Sequence, residues 1–160
     1  MAITSFRGRH RFLSNFYPSP LTWEGIEWPT SEHAYQAAKA AAVLGMPLDI
    51  TDLAIFSMTP GEVKSWARQN VPNAHTWDRV PKIIAMAGIV WQKFKSPDMR
   101  ALLDATAPEQ LVEGNAWNDR FWGVCRDRGE NQLGKILMLI RDKPSFRMRH
   151  VTFGPGGTYQ

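Results

Sequence analysis

The segment Trp28-Pro29-Thr30-Ser31-Glu32-His33-Ala34-Tyr35-Gln36-Ala37-Ala38-Lys39 predicts the first turns of a central helix. Pro29 ends the preceding element, because its ring fixes φ and removes a backbone donor. Thr30 or Ser31 can cap the free N–H groups of the first turn. We therefore expect a helix that begins here and runs to about Leu44, with a glycine after it as the stop signal.

One face of this helix carries four polar or ionisable side chains that could bind a ligand or take part in a reaction. At 3.6 residues per turn, an acid, a phenol, an amide and an amine share it: Glu32, Tyr35, Gln36 and Lys39. Glu32 falls in the first turn, where the positive end of the helix dipole favours an ionised carboxylate. The spacing alone leaves two interpretations open. The face is either a solvated surface with a Glu/Lys pair, which is common on surface helices, or part of a functional site.

The composition is that of an ordinary globular protein. The chain has 160 residues, 44% of them hydrophobic and 21% charged, which suits a single domain over residues 1–160. No apolar run is long enough to span a bilayer, and the basic segment 1–11 lacks the apolar core of a signal peptide. The single Cys125 excludes an internal disulfide. We expect a cytoplasmic protein with no structural zinc and no cofactor.

The charge balance and the tryptophan content point to a ligand class. The chain carries 19 Lys and Arg residues against 15 Asp and Glu residues. A basic excess favours an anionic partner, such as a phosphorylated small molecule or nucleic acid. Seven Trp residues are many for this length, and Trp either fills cores or stacks on planar ligands.

The remaining pattern predicts an α+β fold, mostly helical, with a small antiparallel sheet. A hairpin is expected over 21–28, with Glu24-Gly25 at its turn. We expect further elements as follows: helices after Thr59-Pro60, after Asp78, over 99–105 and after a capping Asn131, a short helix over 51–57, an extended start over 5–17, short strands over 110–113 and 146–153, and a loose tail from about 154.

Helical spacing also predicts which large side chains face inward. Leu102 and Leu103 are expected to face the core, and Trp91 falls on the apolar stripe of its helix. Trp77 stands outside that stripe, just before the helix begins. It therefore has the better claim to a ligand pocket.

Several common catalytic motifs are absent from the sequence. There is no Walker A loop and no Gly-x-Ser-x-Gly elbow. Cys125, beside an apolar valine, is more typical of a buried, inert thiol than of a nucleophile. His33 projects from a different side of the helix than Glu32, so we expect it in the core or behind the site.

The remaining candidates for catalysis are two acids, Glu32 and Asp119, together with tryptophans that could form an aromatic wall. Cleavage of a glycosidic bond needs one group that protonates or holds the leaving group. It also needs a carboxylate that steadies an oxocarbenium-like transition state or activates water. Trp77, Trp117 and Trp122 are candidates for a stacking wall. We predict that the two acids converge beside this wall, although pairs of acids occur in most soluble chains.

A series of short motifs resembles the YbiA/NADAR family, in the family's order over roughly residues 12–142. The matching positions are Leu13-Ser14-Asn15-Phe16, Trp28-Pro29-Thr30-Ser31-Glu32-His33, Tyr35-Gln36-Ala37, Lys39, Trp77, Met86, Lys93-Phe94, Ala105-Thr106-Ala107-Pro108, Leu111-Val112-Glu113, Asp119, Trp122-Gly123, Gly129-x-Asn131-x-Leu133-Gly134, Leu137-Met138 and Arg141. Each motif is short, but together they are specific.

This resemblance implies a metal-independent N-glycosidase that cleaves the bond between a ribose anomeric carbon and a nitrogen. Some members act on phosphorylated ribosylaminopyrimidine intermediates of riboflavin synthesis, and others remove ADP-ribose from guanine in DNA. It implies Glu32 and Asp119 as the catalytic pair, with either acid in either role. The candidate substrate-binding residues are Asn15, Lys39, Trp77, Tyr35, Gln36 and Trp122.

The chain departs from the family after the Trp-Gly pair. Relatives often carry a Gly/Asp-rich turn there, whereas this chain has Arg126 and Arg128. Arginines suit a diphosphate or a DNA backbone, so we favour an ADP-ribosylated substrate over a riboflavin intermediate. An alternative from another class is a module that binds ADP-ribose or a modified base without cleaving it.

Overall fold

The structure is a computed structural model that describes residues 1–45 and 54–143. These residues fall into two compact units. The first contains residues 1–17 and 94–143, and the second contains residues 18–45 and 54–93. Helices are the largest regular elements of both units, and two short two-stranded sheets accompany them, so the predicted α+β class is confirmed.

The second unit opens with the predicted hairpin. Strands β2 (Leu21–Trp23) and β3 (Ile26–Trp28) pair antiparallel, with Leu21 opposite Trp28. Glu24 and Gly25 both have positive φ, 50° and 76°, which is the backbone twist that a two-residue hairpin turn requires. The Trp28 indole nitrogen donates to the Trp23 carbonyl at 3.2 Å. The hairpin therefore delivers a fully buried Trp28 to the start of the next helix.

The central helix α1 spans Ser31–Leu44, as predicted. Of the two candidate caps it uses Thr30, whose hydroxyl accepts a hydrogen bond from the His33 amide at 3.3 Å. Gly45 adopts the left-handed conformation, φ 64°, that ends helices without a steric cost. The cap and the stop signal together fix both ends of the helix.

Two further helices complete the second unit. Helix α2 (Pro60–Asn70) begins with the predicted capping box between Thr59 and Glu62, and helix α3 spans Arg79–Lys93, with Pro81 in its first turn. Both pack against α1. Small side chains at Ala40 and Ala67 permit the close approach of α1 and α2. Trp91 is predicted to lie in the core, but its side chain is only partly buried.

The first unit contains a parallel strand pair and two helices. Strand β1 (Ala2–Ile3) pairs with β4 (Gln110–Leu111), which is shorter than the strand predicted over 110–113. Helix α4 spans Pro97–Asp104 and helix α5 spans Gln132–Asp142. The apolar stripe of α5 is buried as predicted, at Leu133, Ile136, Leu137 and Ile140.

Three local predictions for this unit are wrong. The segment predicted as extended over 5–17 contains a 3-10 helix, Gly8–Leu13, whose tight turn buries the consecutive residues Phe12 and Leu13. Leu102 is 43% exposed while Leu103 is buried. Asn131 holds the N-cap position of α5 without a side-chain cap. Its side chain instead binds the Glu113 amide and the Leu111 carbonyl, at 3.0 and 2.8 Å.

Some predictions lie outside the described residues. These are the strand over 146–153, the tail from about 154 and the first part of the short helix over 51–57, of which Ala54–Ser57 forms a 3-10 helix. The single-domain organisation stays a prediction. Within the described ranges, no helix combines the length and the hydrophobicity needed to cross a membrane.

Candidate active site

The polar face of α1 is buried. Glu32 is 5% exposed, Tyr35 6% and Gln36 2%, and Lys39 is partly buried. The interpretation of this face as a solvated surface is therefore wrong. Burial of a carboxylate costs free energy unless hydrogen bonds or opposite charges compensate it, so the groups around Glu32 decide how it is held.

Glu32 is held by a neighbour one helical turn away. The side-chain amide of Gln36 donates from Nε2 to Oε1 of Glu32 at 2.6 Å. Glu32 also lies in the first turn of α1, where the free backbone N–H groups and the helix dipole favour negative charge. Sequence and fold thus hold the carboxylate in one orientation and favour its ionised form.

Among the polar atoms of this unit that are buried without a hydrogen-bond partner in the described residues are Oε1 of Gln36 and Nε1 of Trp77, both at the candidate site. The amide orientation of Gln36 is fixed, because the flipped amide would set its oxygen against the Glu32 carboxylate. An unsatisfied buried polar group costs about 1–3 kcal/mol. Such groups are exceptions in native proteins, and a ligand with a donor for Gln36 and an acceptor for Trp77 would satisfy both.

Aromatic rings and an amine lie beside these groups. The Tyr35 and Trp77 ring centroids are 5.5 Å apart, with 31° between the ring planes. The Lys39 ammonium lies 5.4 Å from the centroid of the Tyr35 ring. Tyr35 therefore connects the indole of Trp77 with the charge of Lys39, and the helix face carries an aromatic wall and a cation together.

Lys39 lies in a positive environment. Burial lowers the pKa of Lys39, the charge of Glu32 opposes that change, and the cations Lys64, Lys82 and Arg68 lower the pKa further. These cations come from α2 and α3, and the sequence analysis missed them. The available signal was the spacing of Lys64 and Arg68, which places both on one side of α2. A group of mutually repelling cations suits an anionic ligand, because the anion relieves the repulsion.

His33 supports the site from behind. It is 1% exposed, and its two ring nitrogens lie 2.8 Å from the Thr30 hydroxyl and 2.9 Å from the Met58 carbonyl. Burial lowers the pKa of His33, although hydrogen bonds to backbone groups of Met58 and Ile55 oppose this. With both nitrogens engaged, His33 anchors the start of α1, as predicted, rather than transferring protons.

The first unit holds the second candidate acid, Asp119. Its Oδ1 accepts hydrogen bonds from the backbone amides of Phe121 and Trp122, at 3.1 and 2.9 Å. Asn115 binds the Asp119 backbone from both sides, at 3.0 and 2.7 Å. Asp119 therefore shapes the loop that presents Trp122. Its carboxylate is partly buried.

The arginine turn is formed as predicted. Cys125 and Arg128 exchange backbone hydrogen bonds of 2.9 and 3.1 Å, and Arg126 and Asp127 between them have φ of 51° and 60°. Both arginines are exposed, whereas Cys125 is 3% exposed, as expected for a thiol with a packing role.

The structure thus brings together five of the eight candidate residues in the second unit: Glu32, Tyr35, Gln36, Lys39 and Trp77. Asn15, Asp119 and Trp122 belong to the first unit, and the convergence of Glu32 with Asp119 stays a prediction. Across residues 1–45 and 54–143, no three His, Cys, Asp or Glu side chains form a group that could hold a metal ion.

Comparison with known proteins decides the family. A family model described as the NADAR domain matches residues 5–144. This chain belongs to the NADAR family. The N-glycosidase YbiA of Escherichia coli strain K12 is 31% identical over 135 residues, which cover 82% of this chain and 79% of YbiA. The NMR structure of E. coli YbiA superposes with a TM-score of 0.70 at 33% identity, over 91% of this chain and 84% of that chain.

A second relative has a different name. A riboflavin biosynthesis protein of Vibrio vulnificus strain YJ016 is 37% identical over 139 residues. The match covers 84% of this chain but only 35% of that protein, so this chain corresponds to about a third of it. The similarity to YbiA, by contrast, extends over most of both chains, and on that similarity this NADAR chain is an N-glycosidase.

Proposed function

We propose that this NADAR chain hydrolyses the bond between C1′ of a ribose and a base nitrogen, and that its substrate is guanine in DNA that carries ADP-ribose. The observation that carries the reaction is the buried Glu32 carboxylate, fixed by Gln36 at 2.6 Å on a helix face shared with Tyr35 and Lys39. A carboxylate oriented in a water-poor site stabilises developing positive charge far better than one in bulk water.

The proposed reaction follows from the chemistry of an N-glycoside. As the bond from C1′ to the base nitrogen breaks, its electron pair leaves with the base, and positive charge develops at C1′ and the ring oxygen. Ionised Glu32 stabilises that charge and orients the water that attacks C1′. The water loses a proton, the departing nitrogen gains one, and the products are free ADP-ribose and unmodified guanine that stays in its DNA strand.

Asp119 is proposed as the partner acid, on the strength of the family resemblance. It holds the ribose hydroxyls or assists proton transfer to the leaving base. Oδ1 of Asp119 already accepts hydrogen bonds from the backbone amides of Phe121 and Trp122. A role in the reaction therefore falls to the other oxygen or to the charge of the group as a whole.

Groups for the rest of the substrate follow from charge and shape. Lys39, with the cations around it, supplies a site for phosphate oxygens. Trp77 supplies a stacking face and an N–H donor that has no protein partner in the described residues. Tyr35, Asn15 and Trp122 are proposed to line the same substrate. The exposed Arg126 and Arg128 favour a diphosphate or a DNA backbone over a monophosphate.

The second candidate substrate is a phosphorylated ribosylaminopyrimidine. The specific support is the name of the Vibrio relative, a riboflavin biosynthesis protein that is 37% identical to this chain. Such a compound also offers an N-glycosidic bond beside a phosphate, so Glu32 and Lys39 would serve it in the same way. The two candidates differ in their leaving groups and in the number of phosphates.

The deciding experiment presents both substrates to one preparation. An oligonucleotide with ADP-ribosylated guanine and the phosphorylated ribosylaminopyrimidine are incubated separately, and the products are separated by liquid chromatography with mass detection. We expect free ADP-ribose from the first and little ribose phosphate from the second. The reverse result selects the riboflavin intermediate, and binding without any product would leave only a binding module.

A matched pair of variants controls this experiment. Glu32→Gln should abolish product release, whereas Glu27→Gln, the same chemical change at an exposed position of β3, should leave it unchanged. If both variants or neither lose activity, the loss cannot be assigned to the Glu32 carboxylate.

A further inference from the structure

The start of the chain is strongly basic and lies within the first unit. Residues 1–17 include Arg7, Arg9, His10 and Arg11 and contain no Asp or Glu. The 3-10 helix Gly8–Leu13 turns Phe12 and Leu13 inward, which leaves the three arginines exposed. Because three cations are presented within five residues, this part of the surface attracts anions.

Aromatic rings lie beside two of these arginines. The Arg7 guanidinium lies 6.0 Å from the centroid of the Trp117 ring, and Trp117 is 54% exposed. Arg11 lies 5.4 Å from the centroid of the Tyr17 ring. A large indole exposed to this extent is unusual for a residue with only a packing role. We call Arg7, Arg9, Arg11 and Trp117 the arginine–tryptophan surface.

A cavity adjoins this surface. It has a volume of about 660 Å³, and its lining includes Arg7, Arg9 and His10 together with the hydroxyl residues Thr4 and Ser5. This volume is within the range of small-ligand sites, about 300–1,000 Å³. Its lining also includes Glu109, whose carboxylate lies 3.2 Å from the Met1 amine. The cavity therefore offers cations and hydroxyl groups to a phosphate-bearing ligand.

We propose that the arginine–tryptophan surface binds single-stranded DNA. The sugar–phosphate backbone follows the arginines into the cavity, and an unpaired base stacks on the Trp117 face that Arg7 leaves open. Arginines that track a backbone beside aromatic rings that stack on bases are the combination by which proteins bind single strands without reading sequence. A duplex satisfies the charges but offers no free base face to the indole.

This inference goes beyond the cleavage of an N-glycosidic bond. It assigns the first unit a task of its own, which is to hold the nucleic acid irrespective of any modified base. Binding can therefore be measured with unmodified DNA, in the absence of any reaction. If unmodified DNA does not bind, the proposed hydrolysis still stands, and if no hydrolysis is found, the proposed binding still stands.

The first test compares single and double strands. The full chain is titrated into a fluorescent, unmodified single strand of about 12 nucleotides and into the corresponding duplex, and anisotropy is recorded at several salt concentrations. We expect the single strand to bind about tenfold more tightly than the duplex, because the stacking of one base accounts for a difference of about this size. We also expect its affinity to fall with salt, with a slope of about −0.7 per phosphate contact. Equal binding of the duplex, or no binding of either, overturns the proposal.

The second test uses variants of exposed residues, which should keep the fold. The double variant Arg7→Glu/Arg9→Glu should weaken single-strand binding by about tenfold or more and make its salt dependence shallower. Trp117→Ala should weaken binding by about fivefold to tenfold and leave the salt slope unchanged, since stacking releases no counterions. The control Lys135→Glu makes the charge change of one arginine replacement at an exposed position of α5 and should have little effect.

These results distinguish binding at the arginine–tryptophan surface from attraction by the overall charge of the protein. If Lys135→Glu weakens binding as much as one arginine replacement does, the attraction belongs to the overall charge and the proposal fails. It also fails if Trp117→Ala binds like the wild type. The melting temperatures of all the variants should stay within a few degrees of the wild type, which shows that the fold survives the loss of strand binding.

Discussion

Gln36 donates a hydrogen bond from its side-chain amide to Oε1 of Glu32 at 2.6 Å, one helical turn away, and both side chains are buried. The other end of the amide, Oε1 of Gln36, has no hydrogen-bond partner among the described residues. One side chain therefore fixes the candidate catalytic acid and keeps an acceptor for a ligand. Both parts of this arrangement can be tested.

Gln36→Leu should lower turnover without loosening the fold. Leucine occupies much of the same volume but removes the donor that holds the Glu32 carboxylate at 2.6 Å. We expect kcat/KM to fall while the melting temperature stays within a few degrees of the wild type. The replacement Gln69→Leu, at an exposed amide of α2, is the control. An unchanged kcat/KM would show that Gln36 only packs.

Lys39→Met should make the protein more stable at neutral pH. Burial is the largest cause that lowers the pKa of Lys39 below its ordinary 10.5, and it outweighs the opposing charge of Glu32. The unfolded chain thus holds this proton more tightly, so stability rises with pH between the lowered pKa and 10.5. Urea unfolding should show a higher midpoint for the variant and a smaller rise in that window. A midpoint below wild type at neutral pH would refute this account.

Trp77→Phe should separate substrate binding from folding. The indole N–H is buried without a partner in the described residues, so its removal should change the free energy of unfolding by less than about 1 kcal/mol. If that N–H donates to a phosphate or base oxygen, KM should rise about tenfold. Trp77→Ala also removes the ring contact with Tyr35 and should cost about 3–5 kcal/mol of stability. An unchanged KM in the Phe variant would exclude the donor role.

Asp119→Asn should distinguish the structural from the chemical role of this residue. The asparagine oxygen can still accept from the Phe121 and Trp122 amides, so the melting temperature should stay near that of the wild type while turnover falls. Asp119→Ala removes both acceptor contacts and should cost about 1–2 kcal/mol. Full turnover in Asp119→Asn would remove Asp119 from the catalytic pair.

Elements with strong local signals were predictable from the sequence. Glu24-Gly25 supplies the two positive φ angles of the hairpin turn. Thr30 and Gly45 mark both ends of α1, and Thr59 with Glu62 forms a capping box. In each case a few neighbouring residues determine the backbone, so no knowledge of distant contacts was needed.

Features that depend on distant contacts were not predictable. Strands β1 and β4 pair in parallel although they lie far apart in the sequence, and two-residue strands are too short to show a periodic pattern. The side chain of Asn131 serves the Leu111–Glu113 segment instead of its own helix. For the site, helical spacing grouped Glu32 with Gln36 and Lys39. The burial of that face, and the cations that α2 and α3 place around Lys39, required the tertiary structure.

The most direct test of the central claim is single-turnover hydrolysis of the preferred N-glycoside by Glu32→Gln, measured beside its melting temperature. Glutamine keeps the size of the side chain but cannot carry the negative charge that stabilises the oxocarbenium-like transition state. We predict that the rate constant falls by at least about a thousandfold while the melting temperature stays within a few degrees of the wild type. A folded Glu32→Gln protein that hydrolyses the bond at the wild-type rate would contradict the assignment of Glu32 as the catalytic carboxylate.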